Sequence, residues 1–336
     1  MTKKYLVTGG AGFIGSALVK RLLQEGDQIR VLDNGFRGSP ERLKGVADKI
    51  EIVTGDMRDP NTVEKACSGV DSVIHLAFVN GTELFYTKPD LVLDVGVKGI
   101  VNVIDGCIKE GVKELLVASS SEVYQIPPVV PTNENVPLTI PDPLNPRYSY
   151  AGGKIISELM TLNYGRKYFD RAIVFRPHNV YGPDMGWEHV IPQFILRMNE
   201  LAKSPDDKIN FPIMGTGKET RAFTFIDDFV DGLMYIIQKG GHMEIYHVGT
   251  MDEISIESVA IQIGKQLGKE ITIIPGEKPK GSTPVRCPDI TKLKKLGFSQ
   301  KVSFVEGLRH TVKWYVENSG KKPDYSNDSI SVAAKN

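Results

Sequence analysis

Tyr150 and Lys154 stand four residues apart in Tyr150-Ala151-Gly152-Gly153-Lys154. In a helix such residues share a face. An ammonium beside a phenol favours the phenolate and lowers the tyrosine pKa toward the working range. A phenol tuned in this way can take the proton of an alcohol while hydride leaves the same carbon. The spacing gains force from its position after an apolar run that ends in Ser119-Ser120-Ser121-Glu122. That strand end is expected to face a cofactor, where hydroxyls and a carboxylate are useful. Tyr148 is the competing tyrosine, but its offset from Lys154 puts it off the shared face.

The hydride acceptor is announced at the other end of the chain. Thr8-Gly9-Gly10-Ala11-Gly12-Phe13-Ile14-Gly15 follows the apolar run Tyr5-Leu6-Val7 and precedes a segment with helical apolar spacing. A strand, a glycine turn and a helix make a pyrophosphate cradle. Gly9 permits the turn, Gly12 lets backbone approach phosphate, and Gly15 lets helix and strand pack closely. The helix N-terminus adds free N–H groups and a positive dipole end. A second apolar run ends in Asp33-Asn34, about twenty residues beyond the glycines, where an acid hydrogen-bonds a ribose 2′-hydroxyl. The same carboxylate repels a 2′-phosphate, so NAD is expected rather than NADP.

These groups must be positioned by repeated βα units. Strand-like runs at 5–8, 29–32, 50–53, 72–76, 114–119 and 171–175 alternate with amphipathic stretches at 60–67, 89–110 and 147–168. The pattern predicts a doubly wound parallel sheet of the Rossmann type. Residues 1–180 are read as mainly the dinucleotide-binding domain. Residues 181–317 are read as mainly a smaller substrate lobe interleaved with it, with short strands at 245–248 and 271–274 and helices at 290–296 and 304–315. Residues 318–336 read as a flexible tail. A proline-rich stretch from Ile126 to Pro146 is long enough to be a covering or binding loop.

Composition narrows the function. Lysines and arginines equal acids at 41 each, so nothing favours a nucleic-acid partner, which needs a basic face. Three scattered cysteines, Cys67, Cys107 and Cys287, lack metal-ligand spacing, and no metal is expected. No apolar run is long enough to span a membrane, and no leader is evident before the first strand. A cytoplasmic protein is the expectation.

Taken together, the glycine motif, Asp33, Gly55-Asp56-Met57-Arg58-Asp59, His75-Leu76-Ala77, Ser119–Tyr124 and Tyr150 with Lys154 resemble the extended short-chain dehydrogenase/reductase family, in particular its nucleotide-sugar epimerases and dehydratases. The resemblance implies that Asp56 and Met57 hold the adenine end of NAD and that Leu76 and Ala77 line the dinucleotide. Ser119 and Pro177 fall in the same cofactor set. It makes Tyr150 the catalytic base, gives Lys154 a contact with the nicotinamide ribose, and has Ser120 hydrogen-bond the reacting sugar oxygen, with Ser121 alongside. Asn179 meets the sugar diphosphate, Val190 opens a wall for the nucleotide base, and Arg221 and Arg286 pair with the pyrophosphate. Guanidinium forks suit such oxygens. The resemblance further implies a homodimer through the helices near 89–110 and 147–168.

Glu122 bears on the reaction. The family's dehydratase and decarboxylase branch has a Glu at this spacing, and a carboxylate is a suitable base for a C5 proton acidified by a C4 ketone. Dehydration or C5 epimerisation of a nucleotide-diphosphate hexose, after transient C4 oxidation, is the leading expectation. Plain 4-epimerisation is the alternative, and a catalytically silent NAD-binding module is a remote one. Three departures from the family pattern stand out. Gly96 occupies a position where the family often has Asn, Gln125 replaces a Gly after the Tyr, and Met185-Gly186-Trp187-Glu188-His189 is an unusual lead into Val190.

Overall fold

A computed structural model describes residues 2–277 and 283–322. The first half builds β1 (Lys4–Thr8), α1 (Phe13–Gln24), β2 (Gln28–Asp33), β3 (Glu51–Thr54), α2 (Pro60–Cys67), β4 (Ser72–His75), α3 (Thr82–Thr87), α4 (Pro89–Leu93), α5 (Gly99–Glu110), β5 (Glu114–Ala118), α6 (Ser149–Tyr168) and β6 (Arg171–Pro177). The second half adds β7 (Val180–Tyr181), α7 (Val190–Leu201), β8 (Lys208–Ile213), β9 (Thr220–Ala222), β10 (Thr224–Phe225), α8 (Ile226–Lys239), β11 (Glu244–Val248), β12 (Glu253–Ser255), α9 (Ile256–Gln266), β13 (Glu270–Pro275), β14 (Val285–Arg286), α10 (Thr291–Lys295) and α11 (Phe304–Glu317).

Seven strands form one parallel sheet in the order β11-β6-β5-β4-β1-β2-β3. The central strands β1, β4, β5 and β6 are buried along most of their length because helices cover both faces. Neighbouring residues therefore enter opposite cores: Val7, Ile74 and Leu116 pack with α1 and α8, while Leu6, Val73 and Leu115 pack with α2 and α5. Strand order reverses between β1 and β4, which places the ligand crevice above their C-terminal ends.

Two expectations change. Residues 245–248, read as part of the smaller lobe, form β11 and complete the large sheet beside β6. Tyr246, His247 and Val248 are all buried, as befits a strand covered on both sides. The expected helix over 89–110 is interrupted by a π-helical turn at Asp94–Lys98 between α4 and α5. The second half also forms the pair β8 with β13, the three-stranded β12-β9-β14 and the pair β7 with β10. Of the expected tail, residues 319–321 form a 3-10 turn, and residues 323–336 lie outside the described residues.

Candidate active site

The glycine turn is shaped by contacts that leave no room for side chains. Gly9 has φ +70°, and a Cβ there would fall 2.9 Å from the Ala77 backbone. A Cβ on Gly15 would fall 2.2 Å from the Gly9 carbonyl oxygen. Gly12 is the N-cap of α1 and offers no side chain to the first turn. Its open N–H groups therefore face the crevice, as an anion site requires. Asp33 braces the turn, since its carboxylate accepts from Ala11 N at 3.0 Å and Gly35 N at 2.8 Å.

Two adjoining cavities run along the crevice. The first, about 390 Å³, is lined by Gly9, Gly12, Asp33, Asn34, Asp56, Met57, Leu76 and Ala77 among others. The second, about 380 Å³, brings Phe13, Ile14 and Gly15 together with Ser119, Ser120, Ser121, Glu122, Tyr150, Lys154, Pro177, Asn179 and Arg286. A long cradle with an acid at one end and open backbone N–H groups in the middle fits a dinucleotide. Val190 and Arg221 line neither cavity. Val190 opens α7 just after His189, which does line the second one. Arg221 donates to the Thr220 and Pro284 carbonyls at 2.7 and 3.4 Å.

At the sugar end Ser120 lies beside Tyr150 in the same cavity, and the Ser120 hydroxyl accepts from Glu122 N at 3.1 Å. Burial raises the Tyr150 pKa, and Ser120 acts against that rise. The anticipated lowering by Lys154 is not among the influences on this phenol. The Lys154 ammonium instead donates to the Ala118 carbonyl at 2.7 Å. Burial pulls the lysine down to about 7, opposed by Glu158. Glu158 is itself tied to Ser119 and to Arg176.

Glu122 is the best-charged member of the site. It accepts from Arg286 at 2.7 Å and has Arg147 at 3.7 Å. Burial would raise its pKa, but Arg286 and Arg147 outweigh that and hold the carboxylate below its ordinary range. Arg221 and Arg286 are register partners on β9 and β14. Burial and Arg286 together pull Arg221 down to about 10. Three arginines thus surround one carboxylate. Arg147 was missed in the sequence, although it lies just before Tyr150.

Other residues missed in the sequence close the crevice. Arg37 pairs with Glu188 at 3.3 Å, and Arg42 with Asp184 at 2.8 Å, so the unusual segment before Val190 is tied to the nucleotide domain. Arg58, inside a segment singled out for Asp56, grips that carboxylate at 2.7 Å. Gln125 has φ +54°, the conformation in which glycine is at ease, which accounts for the residue usual at this place. His178, buried beside His247, lines neither cavity.

A glycine cradle at the switch point of a parallel sheet, joined to a tyrosine, a lysine and serines, defines a dinucleotide-dependent site for redox chemistry at a carbinol carbon. The NAD-dependent epimerase/dehydratase family model matches residues 5–249, and the chain belongs to that family. The family is NAD-dependent, and the cradle fits that cofactor. The chain is 33% identical to a UDP-N-acetyl-alpha-D-glucosaminuronate decarboxylase of Bacillus cytotoxicus, over 94% of this chain and 99% of the relative. Its fold resembles dTDP-glucose 4,6-dehydratase from Streptomyces venezuelae with NAD bound, at TM-score 0.83 and 30% identity, covering 95% of this chain and 98% of the other. It also resembles UDP-glucose 4-epimerase from Thermotoga maritima with UDP-glucose, at TM-score 0.83 and 26% identity, covering 94% and 99%. Among the described residues no helix is long and apolar enough to cross a membrane, and no cluster of potential metal ligands occurs.

Proposed function

We propose that the protein is an NAD-dependent nucleotide-sugar enzyme that oxidises a nucleotide-diphosphate hexose transiently at C4 and then acts at C5. NAD, held by the Gly9–Gly15 turn and Asp33, would supply the hydride acceptor and donor. Tyr150 takes the proton of the 4-hydroxyl, Ser120 orients that oxygen, and Lys154 holds the ribose side of the cleft. Asn179, Arg221 and Arg286 serve the diphosphate end, and Val190 the base.

The observation that carries the C5 step is the Glu122 carboxylate clamped by Arg286 at 2.7 Å within a surplus of positive charge. A C4 ketone stabilises the carbanion left at C5 after loss of either a proton or a carboxylate. Proton removal by Glu122 leads to dehydration or C5 epimerisation. The arginines make Glu122 a weak base, however, and their excess charge suits a substrate that brings its own carboxylate. Decarboxylation of a nucleotide-linked hexuronate is therefore the favoured C5 reaction. The C5–C6 electron pair passes into the enolate, CO2 leaves, and C5 takes a proton before the ketone is reduced. The likeness to the Bacillus decarboxylase supports this reading.

Plain 4-epimerisation is the second reading, since Tyr150 and Ser120 suffice for it and the fold matches that of the Thermotoga epimerase. Mass spectrometry of products from a panel of nucleotide hexoses and hexuronates in D2O separates the readings. CO2 release with one solvent deuterium at C5 supports decarboxylation. Epimerisation of a neutral hexose at C4 without deuterium uptake overturns it.

The chain is further proposed to form a homodimer. Exposed Leu93 on α4 and Ile156, Leu159, Tyr164 and Tyr168 along α6 leave an apolar stripe on the helices expected to pair. Leu159→Glu is expected to yield a monomer by light scattering.

A further inference from the structure

Phe78 takes part in no step described above, yet its ring touches both members of the Tyr150–Lys154 pair. The Phe78 and Tyr150 rings meet edge to face with centroids 5.1 Å apart. The Lys154 ammonium lies 4.0 Å over the Phe78 ring. The space for this ring is made by two glycines on facing helical segments. A Cβ on Gly96 would fall 2.3 Å from Phe78 Cζ, and one on Gly153 would fall 2.9 Å from the same atom. Gly96 lies within the π-helical turn Asp94–Lys98, a kind of irregularity that recurs at functional sites. Gly153 directly precedes Lys154. Two backbones are thus bare of side chains where the ring enters, and the position where the family often has Asn is filled by Phe78.

The lysine has few other partners. An ammonium offers three protons, and the Ala118 carbonyl accepts one at 2.7 Å. Glu158, one turn further along α6, is engaged by Arg176 and Ser119. The Tyr150 ring, one turn back, has its centroid 5.8 Å from the ammonium, further than the Phe78 ring. His75 on β4 is held neutral by burial, with a pKa of about 3. On the π turn, Asp94 is paired with Lys98 and Arg58. The electron-rich face of an aromatic ring attracts a cation, and more strongly when the cation has lost its water.

We propose that Phe78 is a positioning residue whose ring face holds the Lys154 ammonium beside Tyr150 and stabilises the charged lysine in a dry pocket. Its catalytic meaning rests on Tyr150 and Lys154 being the reacting pair, but the contact itself does not. The test is an NMR titration of the full chain as purified, with lysines labelled with carbon-13 at Cε and the Lys154 signal assigned by its loss in Lys154→Met. Phe78→Leu keeps the pocket filled with carbon and removes the ring face. The Lys154 midpoint is expected to fall by roughly half to one pH unit. 3,5-Difluorophenylalanine at position 78 keeps the ring shape, weakens its face, and is expected to shift the midpoint the same way by less. That second arm decides the matter if Phe78→Leu fails to fold. A midpoint that stays or rises in the folded variants overturns the proposal. A lowered midpoint with an unchanged pH profile of kcat supports the contact and overturns the assignment of Lys154 to the reaction.

Discussion

The cofactor cradle and the sugar end of the same crevice are built on opposite principles. The cradle is backbone. Gly9, Gly12 and Gly15 are close in sequence, and their function is to carry no side chain, so its shape follows from the local chain path. The sugar end is side chains. Glu122 follows β5, Arg147 precedes α6, and Arg221 and Arg286 come from strands of the smaller lobe. Its character is the sum of charges held at particular distances. A cradle of this kind tolerates almost no change in volume. A charge cluster tolerates changes in volume and responds to changes in balance.

The largest effect expected is on turnover. Tyr150→Phe removes the proposed proton carrier and is expected to lower kcat by about 10²–10⁴-fold, with bound NAD unchanged by absorbance after denaturation. Loss of NAD along with activity would mean that the two regions are not separable. Next, Gly15→Ala is expected to abolish NAD retention, because its Cβ would sit 2.2 Å from the Gly9 carbonyl oxygen. Normal NAD content in that variant would show the cradle to be more pliable than its contacts imply.

Within the charge cluster the two partner arginines are expected to differ. Arg286→Ala frees Glu122 and is expected to lower kcat as well as raise KM. The Arg221 guanidinium donates to the Thr220 and Pro284 carbonyls, and Arg221→Ala is expected to raise KM about tenfold with kcat nearly intact, the mark of uniform binding. Equal effects on both parameters in the two variants would merge their roles. Asp33→Ala is expected to reduce the preference for NAD over NADP by about tenfold, as measured by the two dissociation constants.

The smallest effect expected is on stability, and its sign follows from the lysine. Burial holds the folded pKa of Lys154 at about 7, below the ordinary value of 10.5. The native state thus binds the proton less readily than the unfolded chain between those values, and stability rises with pH across that window. A neutral Lys154→Met chain escapes this cost. Its Tm is expected to exceed the parent's most at and below about pH 7, and the gain is expected to fade toward pH 10.5. A Tm difference that does not change with pH would show that packing outweighs charge.

The cradle and most of the large sheet were legible because their physics is local. Glycine spacing, apolar runs and the acid after β2 lie within short segments, and each encodes its own conformation. The positions of Tyr150, Lys154 and Ser120 in one cavity followed from the same logic of helix face and strand end. The exchange of β11 from the expected small lobe to the large sheet was not legible, because a short buried strand does not state its neighbour. Nor was the break at Asp94–Lys98, where the Phe78 ring from beyond β4 enters between Gly96 and the distant Gly153.

By itself the sequence determined the backbone-made half of this protein: a parallel sheet, a glycine turn, and an acid at the end of the second strand that lines the same cavity. Tertiary structure alone decided the balance of charge. Arg147 and Arg286 reach Glu122 from distant segments, Lys154 bonds the Ala118 carbonyl and lies closer to the Phe78 ring than to the Tyr150 ring, and Arg37 and Arg42 close the crevice on Glu188 and Asp184. The physical reason is that steric exclusion and hydrogen-bond periodicity act between chain neighbours. Coulombic interaction and desolvation depend instead on distances that exist only once the chain has folded.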